Sequence, residues 1–347
     1  MAHTATRPAP APAPSRVPSN DYRELKRRVQ EAGLLETQSA YYIFKSIVAL
    51  ATVGLVVWIA AVSTSTIVLL GNAVLLGFAS TQIALLGHDV GHRQGYRGKR
   101  LNLFGRYLWG SLLLGISHSW WNDKHNQHHA TPNHVDKDPD IQFPMIAFAE
   151  SQIGSRRRIF LPIIKFQAFI FAFLFPLQAL NMRLMSASYL LSGRARRPWL
   201  QAAGMAAHLG LYVLLLSLLP SWQMALAFFV VHQGTFGLYN SSVFASNHKG
   251  MPTIDENGRM DFFREQVITS RNVTGPVLVD FWYGGLNYQI EHHLFPTMPR
   301  NNLRKVKPIV EQFCRERGVP YHEANLFASY WEGFSYLHGV GAVLRAR

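Results

Sequence analysis

Hydrophobic and polar positions along this chain divide into long uncharged stretches and short periodic ones. Between Ser46 and Gly87, and again between Trp199 and His248, there is no Asp, Glu, Lys or Arg. Each stretch has room for two helices of about 20 residues, the length that crosses roughly 30 Å of hydrocarbon. Turns are predicted at Ser63–Thr66 and Pro220–Ser221, giving spans at about 41–62, 66–87, 199–219 and 222–246 that pair as two hairpins. Elsewhere the period is that of an amphipathic helix. Tyr22, Leu25, Val29 and Ala32 predict a helix within 20–40 that rests on a membrane surface. Leu303, Val306, Val310 and Phe313 predict one face of a soluble C-terminal cap over 300–347. Two apolar stretches remain, at about 101–116 and 159–181; Pro162, Lys165, Gln167 and Pro176 predict that the second is a broken helix lying in the interface, with dipping in and returning as the alternative, rather than a span. Residues 1–19 alternate Ala and Pro and are expected to be a disordered arm, without the apolar run of a signal peptide. The expected fold is an all-α integral membrane protein: four transmembrane helices in two hairpins, interfacial helices, and a helical cap, with 41–299 as the membrane domain.

Charge orients this arrangement. The chain has 347 residues, 48% hydrophobic and only 16% charged, with a formal net charge of +14. Neither predicted turn is basic, whereas the flanks hold Arg23, Lys26–Arg28, Arg93–Arg106, Arg156–Arg158, Arg194–Arg197 and Arg300–Lys307. The positive-inside rule then puts those flanks, and both termini, in the cytoplasm, and a bacterial cell membrane is the expected location. Topology accounts for the positive charge. With no finger, helix-turn-helix or RNA-binding signature, nucleic acid is not an expected partner. Cys314 stands alone, so a disulfide framework is excluded.

Seven of the 15 histidines form three tight groups beside predicted span ends: His88 and His92; His125, His128 and His129; His292 and His293. Spacings of three and four residues put the rings of each group on one helical face. His248, at the end of the last predicted span, is an eighth candidate. Imidazole suits iron, zinc, copper or nickel over magnesium or calcium. Eight neutral ligands exceed the four of one tetrahedral zinc and suit two ions, each with a position left open. Ligand histidines need the other ring nitrogen held. Asp89 and Glu291 within the groups, and Asp138 and Asp140 after the second, are candidates for that task.

The motifs HxxxH, HxxHH and QxxHH, around two hairpins, resemble those of the membrane-bound fatty acid desaturases. Ser119-Trp120-Trp121, Asp138-Pro139-Asp140, Asn247-His248-Lys249-Gly250 and the run Gly284–Pro296 extend the resemblance over roughly 41–325. It implies a cytoplasmic site with two Fe ions bound by the eight histidines, O2 as co-substrate, and two electrons used to remove hydrogens from a fatty acyl chain, CoA- or lipid-linked. Gln289, in place of the first histidine of the third box, resembles the subgroup that includes front-end desaturases. It would hold a water on one iron or leave a position open. The His-Pro-Gly-Gly mark of a fused cytochrome b5 domain is not present, so the donor is expected to be a separate ferredoxin or cytochrome b5. The acyl chain is expected in a tunnel between the hairpins, with Trp120, Trp121, Trp282 and Tyr283 near its mouth or simply anchoring at the interface. His208 and His232, at matching depth in the second hairpin, are expected to bond to each other beside the tunnel, with a bis-imidazole haem as the alternative. Hydroxylation of an alkane, sterol or carotenoid is the rival outcome of the same chemistry, and a membrane haem or metal carrier the rival without catalysis.

Overall fold

After a short helix α1 (Asp21–Glu31), two long apolar helices, α2 (Ser39–Val62) and α3 (Thr66–Gly91), form the first hairpin. The computed structural model describes residues 20–96, 98–255, 258 and 260–346; the expected arm at 1–19 lies outside the described residues. Helix α2 exposes Ile43, Phe44, Ile47 and Trp58, a face that suits lipid and not water. Next come α4 (Lys99–Gly105), a π-helical turn (Arg106–Leu112) and α5 (His118–Ala130). The broken segment continues the chain as α6 (Leu161–Lys165), α7 (Gln167–Leu174), a tight turn Phe175–Leu177 and α8 (Gln178–Leu191). The second hairpin is α9 (Pro198–Ser217) and α10 (Trp222–His248), the latter capped by the Ser221 hydroxyl accepting from the Met224 amide.

Four helices among the described residues are long and apolar enough to cross a bilayer: Ser39–Val62, Thr66–Gly91, Gln167–Leu191 and Pro198–Ser217. Length and composition alone put Gln167–Leu191 in that set; it is two helices, α7 and α8, interrupted at the Phe175–Leu177 turn, so the broken helix expected at 159–181 is broken and continues to Leu191. Helix α10, the predicted span 222–246, has the length at 27 residues, but His232, Gln233, Asn240, Asn247 and His248 lower its apolar average. All five are buried. It packs along α3, where Gly77 faces Thr235: a Cβ at Gly77 would lie 2.6 Å from Thr235 Cβ. At Gly237 an added Cβ would lie 2.2 Å from the Pro176 carbonyl oxygen, so the Phe175–Leu177 turn sits directly on the α10 backbone.

The chain then builds a cap from α11 (Phe262–Ile268), strand β1 (Asn272–Thr274), α12 (Val277–Tyr283), α13 (Gln289–Leu294) and α14 (Arg300–Glu316). Strand β2 (Glu323–Asn325) pairs parallel with β1, Val273 opposite Ala324. Leu303, Val306, Val310 and Phe313 of α14 are buried together with Phe263, Val267 and Leu294. Leu25 and Val29 of α1 join the same cluster, and Arg28 pairs with Glu316 at 2.9 Å. The apolar face expected on a membrane surface is therefore covered by protein. Helix α15 (Leu326–Arg345) starts at β2 and runs on beside α6 and α7, where Gln167 Nε2 donates to the Leu337 carbonyl at 3.0 Å and Tyr336 OH to that of Phe148 at 2.7 Å.

Gly237→Ala should cost about 1–3 kcal/mol, because a backbone atom and not a flexible side chain blocks the new methyl. Gly54→Ala, with nothing within 4 Å, should leave the melting temperature in detergent unchanged or slightly raised. Equal melting of the two variants would contradict this packing.

Candidate metal centre

Four separate segments bring the histidines together. The last turn of α3 presents His88, and His92 stands at its end, its amide still bonded to the His88 carbonyl at 3.1 Å before Arg93 turns left-handed (φ 62). Helix α5 is capped by the Ser117 hydroxyl, which accepts from the Trp120 amide at 3.1 Å, and carries His125, His128 and His129. Helix α10 ends on His248. Helix α13, only six residues long, has Gln289, His292 and His293 buried; it comes after Gly284 and Gly285, both at positive φ. At Gly284 the room is taken as well, since an added Cβ would lie 2.6 Å from Arg300 Nη1.

The rings form two adjacent groups. His88, His92, His125 and His292 offer nitrogens that all lie within 4.8 Å of one another, and so do His128, His248 and His293. His88 and His125 approach Nε2 to Nε2 at 3.2 Å, as do His128 and His248. His129 lies between the groups, its Nε2 3.1 Å from His125 Nε2 and its ring stacked on His293 at 4.2 Å. Gln289 extends Nε2 to 2.9 Å from His248 Nε2, and Asn247 Nδ2 donates to its Oε1 at 2.9 Å. The carboxamide thus takes a fourth place beside the group of three.

These donors fit metal ions. His92 Nε2, His293 Nε2 and both ring nitrogens of His292 are buried without any hydrogen-bond partner. Buried polar atoms are otherwise nearly always paired. With bonds of about 2.0–2.1 Å, neighbouring nitrogens on one ion lie roughly 2.9–3.4 Å apart, which matches the Nε2 separations here. Burial first, and the neighbouring imidazoles second, hold His125, His129, His292 and His293 well below the ordinary imidazole pKa. They are neutral, the form that binds metal.

The far nitrogens are tied down. Asp89 Oδ1 lies 3.1 Å from His88 Nδ1, and its other oxygen accepts from Arg300 Nε. Asp138 meets His128 Nδ1 at 3.0 and 3.1 Å and also accepts from the amides of Asn133 and Asp140 at 2.8 Å. Asp140 stands 3.6 Å from His128 Nδ1 and pairs with Lys124. Two further holders carry no sequence signal: Gln266 Oε1, 2.9 Å from His293 Nδ1, and the Thr269 carbonyl, 3.0 Å from His248 Nδ1. Glu291 departs from its expected role. One residue from His292 on a short helix, it points away and accepts from Tyr321 OH at 2.7 Å and Asn272 Nδ2 at 2.8 Å. Burial raises its pKa to about 7.

A mostly apolar cavity adjoins the first group. His88, Trp121, Leu114, Ile116, Met182 and Phe244 are among its walls, and Trp121 also stacks on His125 at 4.4 Å. Trp120 is packed instead in the core of α2, α3 and the π-turn. Trp282 donates to Ser242 Oγ at 3.0 Å, and Tyr283 is buried against Ser246. His208 and His232 do not line the cavity or bond to each other, a correction to both expectations. Tyr212 intervenes, one turn after His208: its hydroxyl meets His232 Nδ1 at 2.7 Å, while Ser80 Oγ takes Nε2 at 3.1 Å. His208 is held by the Leu112 carbonyl at 3.2 Å and Arg183 at 3.5 Å. No ring nitrogen of the two is left for haem iron.

The profile of the family described as fatty acid desaturase matches residues 63–325. A Delta(6)-fatty-acid desaturase of Caenorhabditis elegans (fat-3) is 29% identical over 94% of this chain and 76% of its own length. An acyl-lipid (9-3)-desaturase of Physcomitrium patens is 31% identical over 88% of the chain and 60% of its own. A Delta(8)-fatty-acid desaturase of Arabidopsis thaliana is 31% identical over 89% and 72%. These relatives are eukaryotic and lend no support to a bacterial location. The matched region contains all three histidine motifs and the cavity beside the first of them, and the chain belongs to the fatty acid desaturase family.

Proposed function

We propose that this chain is a di-iron, O2-dependent desaturase that introduces a double bond into a fatty acyl chain carried on CoA or on a lipid. The observation that supports it best is the pair of histidine groups with buried unpaired nitrogens, the first of them beside an apolar cavity. Bound iron with O2 supplies the oxidising power that an unactivated methylene demands and no side chain has. The protein does the rest. His88, His92, His125, His128, His129, His248, His292 and His293 hold the metal, and Gln289 takes a water or leaves a place open beside His128, His248 and His293. Asp89, Asp138, Gln266 and the Thr269 carbonyl fix ring orientation, so ligands need not reorganise. The apolar walls at Leu114, Ile116 and Phe244 exclude water and hold the chain against His88 and Trp121.

Gln289 and the Delta(6) and Delta(8) names of the relatives favour front-end desaturation, on the carboxyl side of a double bond already present. We place the metal centre in the cytoplasm: both hairpins send their histidine-bearing ends toward the basic flanks, and the turns at 63–65 and 218–221 carry no charge. A separate acidic carrier, ferredoxin or cytochrome b5, then meets a basic face that includes exposed Arg304 and Arg315.

Expression in a host of known lipid composition, with chromatography of fatty acid methyl esters, should give a new double bond; a new oxygen instead would assign the chain to the hydroxylases. His128→Ala should abolish the product and lower bound iron with little loss of fold, while His322→Ala should be nearly silent. Asp138→Asn should lower iron retention or activity about 10–100-fold, whereas the exposed Asp136→Asn should change neither. Turnover with the carrier should fall steeply with salt; a flat response would remove the basic docking face.

A further inference from the structure

Away from the histidines, Pro144, Ser155, Arg156, Arg157 and Phe160 line a recess of about 670 Å³ that opens to solvent. Arg156 is half-buried, but its Nε and Nη2 atoms are fully covered and have no hydrogen-bond partner. These two nitrogens form one edge of the guanidinium, with parallel N–H bonds spaced to meet two oxygens of a single anion. A covered cationic donor edge without a partner is costly, and proteins rarely keep one idle. Arg156, Arg157 and Arg158 make no ion pair among the described residues, and the acids before and after them in sequence are Glu150 and Asp255. Burial lowers the Arg156 pKa, in keeping with a charge that lacks its counter-ion.

The surface next to the recess identifies the anion's carrier. Ile159, Phe166, Phe169 and Phe173 are 76%, 49%, 64% and 79% exposed, an apolar surface that begins beside the arginines. An anion with acyl chains would cover both features at once. The recess also borders the metal centre's scaffold: Gln152, just before Ser155, donates to the Val135 and Ile141 carbonyls at 3.2 and 3.1 Å, bracketing Asp138.

We propose that Arg156 and Arg157 bind the phosphodiester of a membrane phospholipid, whose acyl chains lie along the exposed face of α7. The test uses the full chain, delipidated in an uncharged detergent and titrated by native mass spectrometry. Dioleoyl phosphatidylglycerol should bind at least tenfold more tightly than dioleoylglycerol, which has the same chains and no phosphate, and should raise the melting temperature. Arg156→Gln/Arg157→Gln should lose that preference, Arg156→Lys should keep only part of it because the fork is gone, and Arg194→Gln/Arg196→Gln should keep it all. Equal binding of the two lipids by the unaltered chain overturns the proposal without recourse to any variant. So does retention of the preference in the double glutamine variant, or inorganic phosphate binding as tightly as the lipid.

Discussion

Imidazole nitrogens that have lost water and gained no protein partner are the constraint on which this structure turns. His92, His292 and His293 bury such atoms within the same small volume as His88, His125, His128, His129 and His248. Burial suppresses protonation of His125, His129, His292 and His293, and neutral rings do not repel as cations would. Their lone pairs still need an electrophile. Everything nearby serves to aim them: carboxylates, a carboxamide and a main-chain carbonyl fix the far side of individual rings.

That demand explains how the scaffold is divided. Helices α3 and α10 run beside each other and end at the centre, so the two hairpins deliver His88 and His248 from opposite halves of the chain. Close packing at Gly77 sets their separation, and Gly237 seats the Phe175–Leu177 turn on the other side of α10. The cap then closes the far side. Arg300, on the first turn of α14, reaches Asp89 at the end of α3, so the cap is tied to the same carboxylate that orients His88. A loss at this joint would loosen both a ligand and the cap.

Polar groups inside the bundle divide into two kinds. Around His232, Tyr212, Ser80, Arg183 and Gln233 satisfy each other, which suits a structural network between helices. Around the metal centre, nitrogen atoms are left over. Several unpaired nitrogens on neighbouring rings, more than residue type, separate a ligand site from a packed polar core.

The sequence by itself determined much of this. Charge-free stretches marked both hairpins, and three- and four-residue spacing put the box histidines on common faces, because helical periodicity is local. It also pointed to Asp89 and Asp138, which lie near their histidines along the chain. Only the tertiary structure decided which histidines share a group, that Gln289 stands beside His248, and that Gln266 and Thr269 hold rings contributed by other elements. It also decided that Glu291 turns away and that Tyr212 separates His208 from His232. Likewise α1 covers its apolar face with α14, though its pattern would suit a lipid surface equally well. Those outcomes depend on contacts between residues far apart in the chain, where periodicity tells which face is apolar and not what will come to cover it.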